Sequence, residues 1–263
     1  MNIFLLKLIL APVIIGSASL AGRKWGPAVS GWIVGMPLTS GPVIFFLALS
    51  HDSTFAVNAS LGTVSGGFSL VAFCLVYGWL AMRFGWVVSL TGSLSAYGLV
   101  TAWMRGLTFP VVPLFIAVIG VVVLGISFMP KEADIEPVES KPGRWDIPSR
   151  ILIGTSFILL LTGGAPLLGP RLTGLLSTIP LYTAILAIFA HRLQGGAGAV
   201  HVLRGMLYGL FAFLGFFGTL CSLLPHAGIA LSFLAAIGAA LSVQGISLLW
   251  MRRNAPPRPS PRS

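Results

Sequence analysis

Apolar residues run along this chain in long blocks, without the period-two alternation of strands or the one-sided stripe of a soluble helix. Nine blocks are bounded by Gly, Pro or charged residues, at 2–21, 27–50, 55–81, 85–104, 108–129, 150–168, 170–190, 197–223 and 228–251. Coiled into α-helix at about 1.5 Å per residue, each crosses about 30 Å of hydrocarbon. The pattern predicts an all-α polytopic membrane protein of about nine transmembrane helices. Residues 1–22 also resemble a secretory signal, with Lys7 ahead of an apolar run and Ser19-Leu20-Ala21 after it. The run is long and has a counterpart later in the chain, so we expect it to stay as a span.

Composition agrees with that pattern. Of 263 residues, 56% are hydrophobic and 8% charged, against about 25% charged in soluble domains. Too few ions are present to cover a soluble fold, so membrane lipid is the expected outer solvent. Five of the six acids, Glu132, Asp134, Glu136, Glu139 and Asp146, fall in 130–148, which reads as a solvated linker. The segment 252–263 carries four Arg and four Pro and reads as a basic disordered tail. The net charge of +10 lies in loops and tail rather than on a folded face, so no nucleic-acid partner is expected.

Short-loop cations orient the chain. With nine spans, one set of loops holds Arg23, Lys24, Arg83, Lys131, Lys141, Arg144, Arg150, Arg192, Arg252, Arg253, Arg258 and Arg262. The opposite set holds Arg105 and Arg171. The bias places the N-terminus outside and the C-terminus in the cytoplasm.

The chain also repeats. Displaced by 143 residues against itself, Gly26-Pro27 meets Gly169-Pro170, Pro37-Leu38 meets Pro180-Leu181, and Gly62, Gly66 and Gly85 meet Gly205, Gly209 and Gly228. Gly and Pro punctuate backbone geometry, so their co-registration outweighs scattered Leu or Ala identities. The expected organisation is a four-helix repeat at 1–107, a connecting helix at 108–129, a cytoplasmic linker at 130–148, a second four-helix repeat at 149–251 and the tail at 252–263. Five spans separate the two starts, so the second repeat enters from the opposite face, giving inverted topology. Such repeats recur in secondary transporters.

The stretch Gly174-Leu175 through Ile179-Pro180-Leu181-Tyr182 to Ala190-His191 resembles the GlpM-like family of small bacterial inner-membrane proteins. Gly31, Met36-Pro37-Leu38 and His51 repeat the pattern in the first half, with Thr39 in the aromatic's place, so the chain is similar to a fused double version. The resemblance implies a bacterial inner membrane and is silent on chemistry.

Candidate chemistry concentrates where the second helix of each half is interrupted. Pro37, Thr39, Ser40, Gly41 and Pro42 correspond to Pro180, Tyr182 and Thr183. A mid-span proline removes a helical hydrogen bond, and paired interruptions mark a transporter's midplane site. A half-helix starting near Pro42, with Ser40 as N-cap, would present a positive dipole end to an anion. The alternative is a plain kink satisfied by neighbouring hydroxyls. His201 and Arg204 lie one turn apart, with Asn58 at the place matching His201. Arg204 either snorkels to headgroups or awaits an anion with His201 and Asn58. Asp52 reads as a solvated turn residue.

Gly62/Gly66 and Gly205/Gly209 read as helix-packing pairs, and Cys74 and Cys221 as buried small hydrophobes. Neither metal nor cofactor is called for, and no HExxH or paired-acid arrangement lies within the spans, so an enzyme is not expected. The leading expectation is a secondary or passive transporter of a small or lipid-linked anionic solute. The alternative is a non-transporting scaffold in envelope polysaccharide synthesis.

Overall fold

The computed structural model describes residues 6, 8–13, 16, 37–130 and 146–254, the last eight and residues 146, 147, 149 and 150 by backbone course alone. Most of the expected span 2–21, the first part of 27–50, linker residues 131–145 and tail residues 255–263 lie outside the described residues. Within them the chain is helical, with α1 Ser40–Ser50, α2 Ser53–Ala81, α3 Trp86–Met104, α4 Val111–Phe128, α5 Asp146–Leu176 and α6 Leu181–Asn254.

Among the described residues six elements stand, against the eight of the nine expected spans that run from 27–50 to 228–251 and fall wholly or partly there. The difference arises because helix continues through joints that the sequence marks as breaks. Three glycines with positive φ, Gly169, Gly195 and Gly228, bend the path within α5 and α6. A side chain disfavours that region, so single glycines can turn the backbone where a loop was expected. They divide the two elements into α5a (146–168), α5b (170–176), α6a (181–194), α6b (196–227) and α6c (229–254). The starts of α2 and α3 at Ser53 and Trp86 precede those of α6b and α6c by the same 143 residues seen in the sequence. Helix also encroaches on both polar segments. Asp146 opens α5 inside the expected linker, and α6 continues to Asn254, inside the expected tail.

Four helical stretches are long and apolar enough to cross a membrane: Ser53–Ala81, Trp86–Met104, Val111–Phe128 and Ile151–Ile246. The last, at 96 residues, far exceeds the roughly 20 that one crossing needs, and the glycine bends subdivide it. Helix α1, at 11 residues, is too short to cross alone.

Burial is inverted relative to a soluble protein. On α3 the buried positions are Ser89, Ser93, Tyr97, Thr101 and Met104, while Leu99 and Trp103 on the same helix are 73% and 67% exposed. Leu167 is 94% exposed. In water such a surface would aggregate; in lipid it is the favourable one, and hydroxyls turn inward to find partners. This is the surface of an integral membrane protein.

Helix α2 is the hub, packed by α3, α4, α5 and α6. Its glycines permit the closest approach. A Cβ at Gly62 would strike the Arg171 carbonyl, one at Gly66 the Thr178 side chain, and one at Gly174 the Ala59 carbonyl. Segment α5b thus lies backbone against backbone on the first half of α2, a seam of the small-residue kind. Gly205, expected to pack the same way, faces nothing within 4 Å. An all-round apolar helix has no stripe to say which of its glycines points at a neighbour.

Candidate functional site

The second proline interruption is a real gap between α5b and α6a. Past Leu176 the backbone tightens, with the amides of Thr178 and Ile179 donating to the carbonyls of Leu175 and Leu176, three residues back. Helix resumes at Leu181, and the Ala184 amide bonds the Pro180 carbonyl. In hydrocarbon, carbonyls freed by such a break need partners, and hydroxyls supply them. Ser177 Oγ donates to the Gly174 carbonyl at 2.6 Å, and Thr178 Oγ1 to that of Leu175 at 2.7 Å. Neighbouring helices hold the turn: Tyr97 Oη lies 3.0 Å from Thr178 Oγ1 and 3.2 Å from the Leu175 carbonyl. Thr63 Oγ1 lies 3.1 Å from Ser177 Oγ. Sequence reading missed Tyr97, Thr63 and Ser177. The signal was the four-residue spacing of Ser89, Ser93, Tyr97 and Thr101 on α3, a polar stripe in an otherwise apolar span.

The first interruption is built differently. Residues 37–39 are turn and coil, and α1 begins at Ser40, with the Gly41 amide bonding the Pro37 carbonyl at 2.8 Å. The N-cap is Thr39 rather than Ser40, and it makes no side-chain cap bond. Ser40 is instead the first helical residue and is 2% exposed.

These two interruptions meet. A cavity of about 50 Å³ is lined by Pro37 to Ser40 from the first and Ser177 to Thr183 from the second. Leu70, from the central turns of α2, and Met206, Leu210 and Phe213, from those of α6b, close it. The volume holds a few water molecules and is far below the roughly 300–1,000 Å³ of organic-ligand pockets. None of the described lining residues is charged. The first turns of α1 and α6a both border the cavity, each presenting a positive dipole end. Thr183 Oγ1 donates to Met206 Sδ at 2.7 Å, and Cys74 Sγ lies 3.9 Å from the same sulfur.

Of the residues singled out in the sequence, Pro37, Thr39, Ser40, Pro180, Tyr182 and Thr183 line this space. Gly41 and Pro42 are buried in α1 behind it. Asn58, His201 and Arg204 are not brought to it. Asn58 and His201 are exposed. Arg204 is half-buried, and its guanidinium donates to the carbonyls of Pro130 at 2.8 Å and Met129 at 3.5 Å, just past the end of α4. A cation at a helix C-terminus is favourably placed, and this one ties α6b to α4.

That end of the bundle also gathers Trp79, whose Nε1 donates to the Phe128 carbonyl, and Arg192, whose guanidinium lies 6.0 Å from the Trp86 ring. Asp52 caps α2, accepting from the Phe55 amide at 2.7 Å, as a turn residue should. Cys74 is buried and Cys221 half-buried, both as free thiols. Among the described residues no three of His, Cys, Asp and Glu cluster. No family model, curated protein or solved structure matches the chain.

Proposed function

We propose that this protein is a secondary or passive transporter of a small anionic solute, working by alternating access of two inverted repeats. One observation carries the reading: both proline interruptions, 143 residues apart in sequence, border a single cavity beside the central turns of α2 and α6b. Broken helices meeting at mid-membrane with their N-terminal ends toward one space are the arrangement by which transporters hold anionic groups. The constant offset between the starts of α2 and α3 and those of α6b and α6c supports the duplication. The nine-span, inverted count belongs to this proposal, as does the fused GlpM-like relationship with its bacterial inner-membrane setting. Arg192 and Arg204, at the end where α4 runs toward the linker, support a cytoplasmic position for that end.

The test is anion flux in proteoliposomes, with chloride, nitrate, sulfate and phosphate offered in turn. The purified full chain should carry at least one anion well above empty vesicles. Pro37→Ala, which lets helix run through the first interruption, should lower that flux about tenfold while expression and detergent stability hold. Flux no greater than in empty vesicles for the whole panel rejects transport and leaves the scaffold reading.

A further inference from the structure

We infer that His191, paired with Tyr77, is a proton-binding site that couples solute flux to proton movement, a deepening that rests on the transport reading above. Tyr77 lies in the last two turns of α2 and is fully buried, yet its hydroxyl has no hydrogen-bond partner among the described residues. His191, on α6a, is half-buried, and its Nδ1 is buried and equally without a partner. The two rings meet edge to face, with centroids 6.0 Å apart. Orphaned polar atoms are costly in an apolar bundle, and these two are complementary. A neutral Nδ1 accepts the phenol proton; once Nδ1 has taken a proton from water, it donates to the phenol oxygen. The phenol thus serves both states of the imidazole, and the pair gains one positive charge for the proton bound.

The other titratable groups sit elsewhere. Of the four histidines, His201 and His226 are exposed, and His51 stacks on Phe55 at the opposite end of α2. The one acid whose side chain is described, Asp52, is exposed as the cap of α2. Ionisable groups inside a membrane bundle mark ion and proton pathways, and histidine is the side chain that gains and loses a proton near neutral pH. The charged groups at this end of the bundle are exposed Arg83 past the end of α2, Arg192 held 6.0 Å from the Trp86 ring of α3, and Arg204 of α6b on the Pro130 and Met129 carbonyls.

The position joins proton to solute. His191 stands one turn before the Gly195 bend, and just past it a Cβ at Gly196 would strike the Ala81 carbonyl, one turn beyond Tyr77. Toward the other end of the same helix, about 12 Å from His191, Thr183 lines the cavity. One rigid segment therefore touches the solute space at one end and the proton site at the other. A proton and a monoanion crossing together carry no net charge, which removes the cost of moving a lone charge through the bilayer.

The experiment uses the full chain in proteoliposomes that hold a pH-sensitive dye, with the membrane potential clamped. Inward gradients of chloride, nitrate, sulfate and phosphate are imposed in turn, and at least one anion should enter with acidification of the lumen well above that in empty vesicles. His191→Gln, which keeps a polar amide but cannot take up the proton, should lower that acidification about tenfold, while the exposed His226→Gln should keep it. Magnetic resonance of isotope-labelled histidine in detergent follows the site without flux, its signals assigned by replacing the four histidines singly. The His191 signal should titrate between about pH 5 and 8. In Tyr77→Phe its midpoint should move by about half a pH unit or more, the ordinary effect of one hydrogen bond. Anion entry without luminal acidification would overturn the coupling and leave transport standing. A His191 signal that titrates and moves in Tyr77→Phe, with no anion carried, would sustain the proton site and end the transport reading. Acidification undiminished in His191→Gln, or a His191 signal that does not titrate or is unmoved by Tyr77→Phe, would overturn the site.

Discussion

Gly174→Ala should cost about 3 kcal/mol or more of stability, enough to remove most folded protein from a detergent extract. Segment α5b touches α2 through backbone at this point. A methyl group at Gly174 would run into the Ala59 carbonyl and crowd the Thr63 amide. Neither is the tip of a flexible side chain, so whole helices must separate, at the upper end of overpacking costs. Separation would also pull Thr63 from Ser177 and Gly66 from Thr178. Gly205→Ala is the matched control: nothing lies within 4 Å of its Cβ position, so its melting temperature should stay near wild type or rise slightly with helix propensity. Thermal unfolding followed by size exclusion separates the two. Equal behaviour of both variants would mean that the seam between α2 and α5b is wrongly placed.

The second large effect is expected at Arg204. Its guanidinium holds the carbonyls that follow α4, and hydrogen bonds to a charged group contribute about 1.5–3 kcal/mol. Arg204→Ala should therefore lower stability by about 2 kcal/mol, and Arg204→Lys by less, because an ammonium keeps the charge but not the planar fork. Anion flux per folded molecule should remain that of the wild type in both, since Arg204 is not among the cavity-lining residues. A variant that stays fully stable and loses anion flux would move the site to Arg204 and away from the cavity.

The prolines were legible because each breaks a helix by covalent necessity, independent of its surroundings. Their meeting was foreshadowed by the constant offset of Gly and Pro between the halves. Arg204 was legible as an anomaly, a cation a few residues inside an apolar span, but its partners at Met129 and Pro130 are carbonyls, and every residue has one. Sequence alone gives no way to choose among them.

Helix faces were the least legible feature. In lipid, both the interior and the exterior of a bundle are apolar, so the contrast that marks a buried stripe in water vanishes. Gly62 and Gly205 occupy equivalent positions in the repeat, yet one meets backbone and the other open space. The polar stripe of α3 was the exception that could have been read. Span ends at Gly195 and Gly228 were seen as breaks, but a glycine with positive φ can turn a chain without ending its helices.

The central claim is that the two proline-interrupted helices meet in one cavity. It is tested most directly by a pair of cysteines, Thr39→Cys with Thr183→Cys, in a chain whose Cys74 and Cys221 are replaced by serine. Short bifunctional thiol reagents should bridge the pair within a single chain, detected as a shift on a denaturing gel. Full labelling of each cysteine singly, with no intramolecular bridge at any reagent length, would contradict it.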